Sequence, residues 1–112
     1  WAGWDEPAMA AAAAIEARGY TRDDMFVTGI DGHDSAIQQI VAGSPMTATV
    51  AQGFEVMAEK IADIIYKTAV MGESFDKVVT TTTIYVDTPL ITDANLPADG
   101  VPAYLAPDFY SK

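Results

Sequence analysis

The chain has 112 residues, half of them hydrophobic and a fifth charged, a composition typical of one small globular domain. Its 16 acidic residues outnumber six basic ones, giving a formal net charge of -10, and the basic residues form no cluster that could neutralise phosphates. We therefore expect no binding of nucleic acid. The absence of cysteine excludes disulfides, thiolate catalysis and cysteine-ligated metals.

The first predicted element is a helix over residues 5–18. Asp5 is placed to cap its free amides, Pro7 suits its first turn, and Gly19 suits its end. The long alanine run within it predicts close packing against a neighbouring layer.

The next elements alternate. The apolar run at 25–30 predicts a buried strand, and the polar turn at 31–34 follows it. A second helix is predicted at 35–42 and a second strand at 46–51. Such alternation favours an α/β fold with parallel strands.

The clearest amphipathic pattern follows, with apolar residues at spacings of three and four between 54 and 70. The threonine-rich, β-branched stretch at 78–86 predicts a third strand. Beyond Asp87 we predict an irregular tail with short extended pieces, because four prolines occur there: Pro89, Pro97, Pro102 and Pro107.

Ligands of open α/β sheets bind at the carboxyl ends of the strands. Trp4, Asp31 and Gln52 occupy such positions, and an indole, a carboxylate and an amide together suit a sugar. Asp31 precedes a glycine, so turn chemistry explains it equally well. For Asp5 the pattern favours a helix cap over a ligand.

His33 is the only histidine, and a lone loop histidine is usually a solvated side chain. An acid/base pair with Asp31 or Asp34 is conceivable, but no orienting partner is visible. No nucleophile elbow, phosphate-binding glycine loop or metal-ligand spacing is present. The sequence thus predicts no catalytic residue, no metal site, no cofactor and no enzyme activity.

Several segments together resemble one family. Residues 4–12 (WDEPAMAAA) resemble its Asn-Asp-x-x-Ala-x-Gly-Ala segment, and residues 26–32 (FVTGIDG) its strand ending in Asp-Gly. Residues 40–43 (IVAG) and 46–52 (MTATVAQ) resemble its helix end and the following strand. The family is the ribose- and galactose-binding type of periplasmic receptor, whose core is shared with LacI-type repressors.

This resemblance implies a Rossmann-like, two-lobe α/β fold, a parallel sheet with helices on both faces, that closes on its ligand at the hinge. The chain would be the solute-binding component of a bacterial ABC sugar importer, periplasmic or membrane-tethered outside the cell. Its partners would be a monosaccharide or polyol and the membrane permease. Asp31 resembles the sugar-binding aspartate and Gln52 the amide ligand, whereas Trp4 stands where many members have asparagine. The alternative is the effector-binding core of a LacI-type transcription regulator.

The resemblance also implies a division of the chain. Residues 1–51 would form part of the C-terminal lobe, and residues 52–87 would cross into the N-terminal lobe. Residues 88–112 would return and end in the irregular tail. The chain would then be incomplete, and the remainder of the N-terminal lobe of the same protein would be a further partner.

Overall fold

The computed structural model describes residues 1–96, which form a small α/β structure in two compact units. The first unit comprises Trp1–Gln52 together with the described residues from Thr88 onward, and the second comprises Gly53–Asp87. The predicted irregular tail lies outside the described residues from Pro97 onward.

In chain order the described residues of the first unit form helix α1, strand β1, helix α2, strand β2 and, after residue 88, strand β3. Their bounds are Asp5–Glu16 for α1, Val27–Asp31 for β1, Asp34–Val41 for α2, Met46–Ala51 for β2 and Leu90–Thr92 for β3. The four elements predicted before residue 52 are confirmed, each to within two residues at either end.

The three strands form one mixed sheet in the order β1-β2-β3. β1 and β2 are parallel as predicted, with Gly29 opposite Thr49 and Asp31 opposite Ala51. β3 runs antiparallel to β2, with Ile91 opposite Thr49, so the predicted all-parallel arrangement is wrong for the last strand. Parallel pairing requires a crossover connection, which α2 supplies between β1 and β2; β3 follows the whole second unit instead.

Helix α1 packs closely on the sheet because its buried face is built from small side chains. Ala8 and Ala12, one turn apart, are fully buried, and Ile15 continues the same face. α2 contributes Ala36, Ile37 and Ile40, which are also buried. The core of the first unit therefore lies where these two helices contact β1 and β2.

The second unit contains helix α3 (Phe54–Ile65), a π-helical turn (Tyr66–Val70) and the short helix α4 (Phe75–Val78). The predicted amphipathic helix over 54–70 is therefore confirmed, although its last turn widens. No residue of these three segments is buried.

The predicted strand at 78–86 is wrong. Val78 ends α4, and residues 79–86 form no helix or strand. A strand requires a neighbour with which to exchange backbone hydrogen bonds. All the paired strands among residues 1–96 belong to the first unit, so β-branched composition alone does not produce a strand at this position.

Candidate functional site

Two of the predicted ligand side chains meet at the carboxyl ends of β1 and β2. Because Asp31 lies opposite Ala51, the next residue, Gln52, lies beside it. The side-chain amide of Gln52 donates a hydrogen bond from Nε2 to Asp31 Oδ1 over 2.6 Å. The backbone amide of Gln52 also donates to the Asp31 carbonyl oxygen over 3.1 Å. We call these two residues the Asp31–Gln52 pair.

The pair retains hydrogen-bonding capacity. Both side chains are half-buried. Within residues 1–96, Asp31 Oδ2 and the Gln52 side-chain carbonyl oxygen accept no hydrogen bond, and only one Nε2 proton is used. The pair can therefore offer two acceptors and one donor to a polar ligand.

The backbone of Asp31 is unusual. Its φ is +126°, and it is the only non-glycine residue with positive φ among those described. A non-glycine residue in this region is strained and persists only where its surroundings hold it. Gly32, with φ of +76°, continues the turn and packs against Ala51, where an added Cβ would lie 2.7 Å from the Ala51 Cβ.

Asp5 lies behind this turn and is fully buried. Its Oδ2 accepts the His33 backbone N–H over 2.7 Å, and its Oδ1 accepts the Thr49 hydroxyl over 2.6 Å. Thr49 Oγ1 in turn accepts the Gly32 backbone N–H over 3.2 Å. We call this arrangement the Asp5 network.

The prediction that Asp5 caps α1 is wrong. The helix N-cap residue is Trp4, and no side chain caps the helix. Asp5 is the first helical residue, and its carboxylate accepts hydrogen bonds from β2 and from the turn after β1 instead. Cap preference describes only local partners, whereas here the donors lie 28 and 44 residues away.

His33 is exposed and caps the next helix, α2. Its Nδ1 accepts the Ser35 backbone N–H over 3.4 Å and lies 2.7 Å from the Ser35 hydroxyl. No hydrogen bond joins its ring to Asp31 or Asp34 within residues 1–96. The acid/base pair conceivable from the sequence is therefore not formed.

Trp4, the third predicted ligand residue, is 56% exposed. Trp4 immediately precedes Asp5, so its backbone lies next to the Asp5 network. No hydrogen bond in the described chain connects its indole to Asp31 or Gln52. Two of the three predicted side chains are thus brought into contact, and the third is exposed to solvent.

Sequence reasoning missed Thr49 and Gly29. A Cβ at Gly29 would overlap Asp5 Oδ1, so the glycine provides the space in which the buried carboxylate lies. Thr49 is fully buried opposite Gly29. The available signal is weak: the predicted strand carries two threonines, and a hydroxyl that is buried requires a hydrogen-bond partner.

Among residues 1–96 no group of histidine, cysteine and carboxylate side chains could hold a metal ion. The same residues contain no helix with the length and apolar character needed to cross a membrane. The chain matches no protein-family model and no curated protein sequence. The resemblance to sugar receptors consequently stays a prediction.

Proposed function

We propose that this chain is part of a solute-binding protein for a monosaccharide or polyol, the receptor component of a bacterial ABC importer. The observation that carries the proposal is the Asp31–Gln52 pair, a carboxylate and an amide hydrogen-bonded over 2.6 Å at the ends of two adjacent parallel strands. This is the sheet edge at which open α/β proteins bind ligands.

The chemistry of the pair favours a polyhydroxylated ligand. Neighbouring sugar hydroxyls both donate and accept, and the pair presents acceptors on Asp31 and Gln52 beside a free amide proton. Hydrogen bonds to a carboxylate are stronger than those between neutral groups. Trp4 offers an exposed aromatic face of the kind that packs on the apolar face of a sugar ring.

Binding in this proposal requires no catalysis. The ligand is held between two lobes, of which the first unit supplies the side with the pair, and closure presents a surface to the membrane permease. The protein would act in the periplasm or, tethered to the membrane, outside the cell. The excess of acidic residues, 16 against 6 basic ones, is compatible with a receptor that binds a neutral sugar rather than a phosphorylated one.

Tryptophan fluorescence tests the proposal, because Trp1 and Trp4 are the only tryptophans. The protein is titrated with a panel of pentoses, hexoses and polyols. We expect a saturable change with one ligand class, and we expect Trp4→Phe to remove most of it. If this chain alone gives no response, the titration is repeated on a chain extended to include the second lobe; silence there as well would refute the proposal.

Two variants locate the site by calorimetry. Asp31→Asn and Gln52→Ala each remove hydrogen-bonding capacity from the pair and should weaken binding by about tenfold or more, since a hydrogen bond to a charged group contributes about 1.5–3 kcal/mol. Asp23→Asn is the matched control, because Asp23 is an exposed carboxylate that precedes the amino end of β1, whereas Asp31 lies at its carboxyl end. Wild-type affinity in all three variants would mean that the ligand binds elsewhere.

A further inference from the structure

The turn that carries Asp31 is connected to the interior by the two backbone amides that follow it. His33 N–H donates directly to Asp5 Oδ2, and Gly32 N–H donates to Thr49 Oγ1, whose hydroxyl donates to Asp5 Oδ1. We infer that Asp5 is a positioning residue for the binding site: through the Asp5 network it holds the Asp31 backbone in the conformation that brings its carboxylate to Gln52.

The conformation of Asp31 requires such support. A φ of +126° is unfavourable for aspartate, and the strained form persists only if neighbouring residues hold it. The Gln52 contacts act on Asp31 itself, at its side chain and its carbonyl oxygen. The Asp5 network holds the backbone amides of Gly32 and His33, and so fixes the backbone that follows Asp31.

The carboxylate of Asp5 is suited to this task by its surroundings. It is fully buried and has two donors at 2.6 and 2.7 Å, short distances typical of charge-assisted hydrogen bonds. The missing side chain at Gly29 provides its space, and Thr49 lies opposite that glycine in the register of β1 and β2. Helix α1 and both parallel strands thereby meet at one side chain.

The first test needs no ligand and no substitution. In the wild-type protein, amide hydrogen exchange should be at least about tenfold slower at His33 than at the exposed Asp23, because a buried acceptor protects the amide. Comparable exchange at the two positions would show that Asp5 does not hold the turn, and the inference would fail.

Variants then link the network to the pair. Thr49→Val preserves the shape of Thr49 but removes its hydroxyl, and Thr49→Ser retains the hydroxyl. The Gln52 side-chain amide resonances report the bond to Asp31. We expect them to move towards the values of a solvated amide in Thr49→Val and in Asp5→Asn, and to stay near the wild-type values in Thr49→Ser. Circular dichroism checks that each variant is folded, and the threonine variants decide the matter if Asp5→Asn is not. Wild-type resonances in a folded Thr49→Val would overturn the inference.

The effect on affinity rests on the proposed function, and this second readout separates the two ideas. If a sugar binds, Thr49→Val should weaken binding by about tenfold while Thr49→Ser remains within about twofold of wild type. If the Gln52 resonances shift in Thr49→Val but no sugar binds to the wild-type protein, the positioning role of Asp5 is upheld and the proposed receptor function is refuted. Binding that is unchanged although the resonances shift would show that the pair does not hold the ligand.

Discussion

The two units of the chain differ in what their helices contact. In the described residues, every buried core hydrophobic belongs to the first unit, where α1 and α2 pack on a sheet. Helix α3 of the second unit has an equally regular apolar spacing, yet none of its residues is buried. The comparison teaches that periodicity specifies a helix and its apolar face, whereas burial requires a second layer within reach.

The largest expected difference between the units is in the free energy of unfolding. Ile40→Ala in α2 removes a fully buried side chain and should cost about 2–5 kcal/mol, since the lost transfer energy adds to the cost of the cavity. Ile61→Ala in α3, where the side chain is 57% exposed, should cost about 0.5 kcal/mol or less. Urea denaturation of both variants measures this. Equal losses of unfolding free energy in the two variants would mean that the apolar face of α3 is covered in solution, and the contrast between the two units would not hold.

Two glycines allow the same comparison of the two units at the level of the backbone. Gly32 in the first unit and Gly72 in the second have nearly the same positive φ, +76° and +71°. An alanine Cβ at Gly72 meets nothing within 4 Å, whereas at Gly32 it would approach the Ala51 Cβ to 2.7 Å and the Ala51 Cα to 2.8 Å.

Gly72→Ala should therefore cost only the backbone strain, about 1 kcal/mol. Gly32→Ala should cost at least about 1 kcal/mol more, because overpacking adds to the same strain. Thermal denaturation of the two glycine variants isolates the cost of the contact with Ala51, since the backbone strain is common to both variants. If Gly32→Ala is no worse than Gly72→Ala, the strand ends are less tightly packed than the structure indicates.

A smaller effect is expected at acidic pH in the first unit. The Thr21 backbone N–H, and then its hydroxyl, donate to Asp24 and hold the pKa of that carboxyl below its usual value. The stabilisation is present above the unfolded pKa and is lost as the pH falls through the lower folded pKa. The Thr21 amide resonance should follow this titration, and Asp24→Asn should abolish it. A Thr21 amide resonance that does not change with pH in the wild type would contradict the hydrogen bond between Thr21 and Asp24.

The smallest effect is expected at alkaline pH in the second unit. The hydrogen bond from Lys67 to Asp63, at 2.7 Å, and then the attraction between their charges raise the lysine pKa. This contribution is present below the unfolded pKa and is lost as the pH rises through the higher folded pKa. Helical circular dichroism should decrease slightly there, and less in Asp63→Asn. Because about half of each side chain is exposed to water, solvent screening keeps the effect small.

The prediction from sequence succeeded where a local pattern and its tertiary setting agree. The alternation up to residue 51 was predicted because glycines, turn residues and apolar runs mark each element within a few residues. It failed at 78–86, where β-branched residues favour a strand but pair with no strand among residues 1–96. The predicted parallel sheet also fails at β3, a short extended piece of the predicted tail, because its antiparallel direction depends on the connection that precedes it and not on its own three residues.

For the candidate site, sequence alone placed Asp31 and Gln52 at the carboxyl ends of two successive strands, and parallel pairing then makes them neighbours. Only the tertiary structure decided the role of Asp5. Its residue type and position favoured a cap, but a buried carboxylate is stabilised by whichever donors the fold brings to it, here the Thr49 hydroxyl and the His33 amide. Those donors are distant in sequence, so the register of two strands, and no local preference, selects the partners of the one carboxylate that is fully buried among residues 1–96.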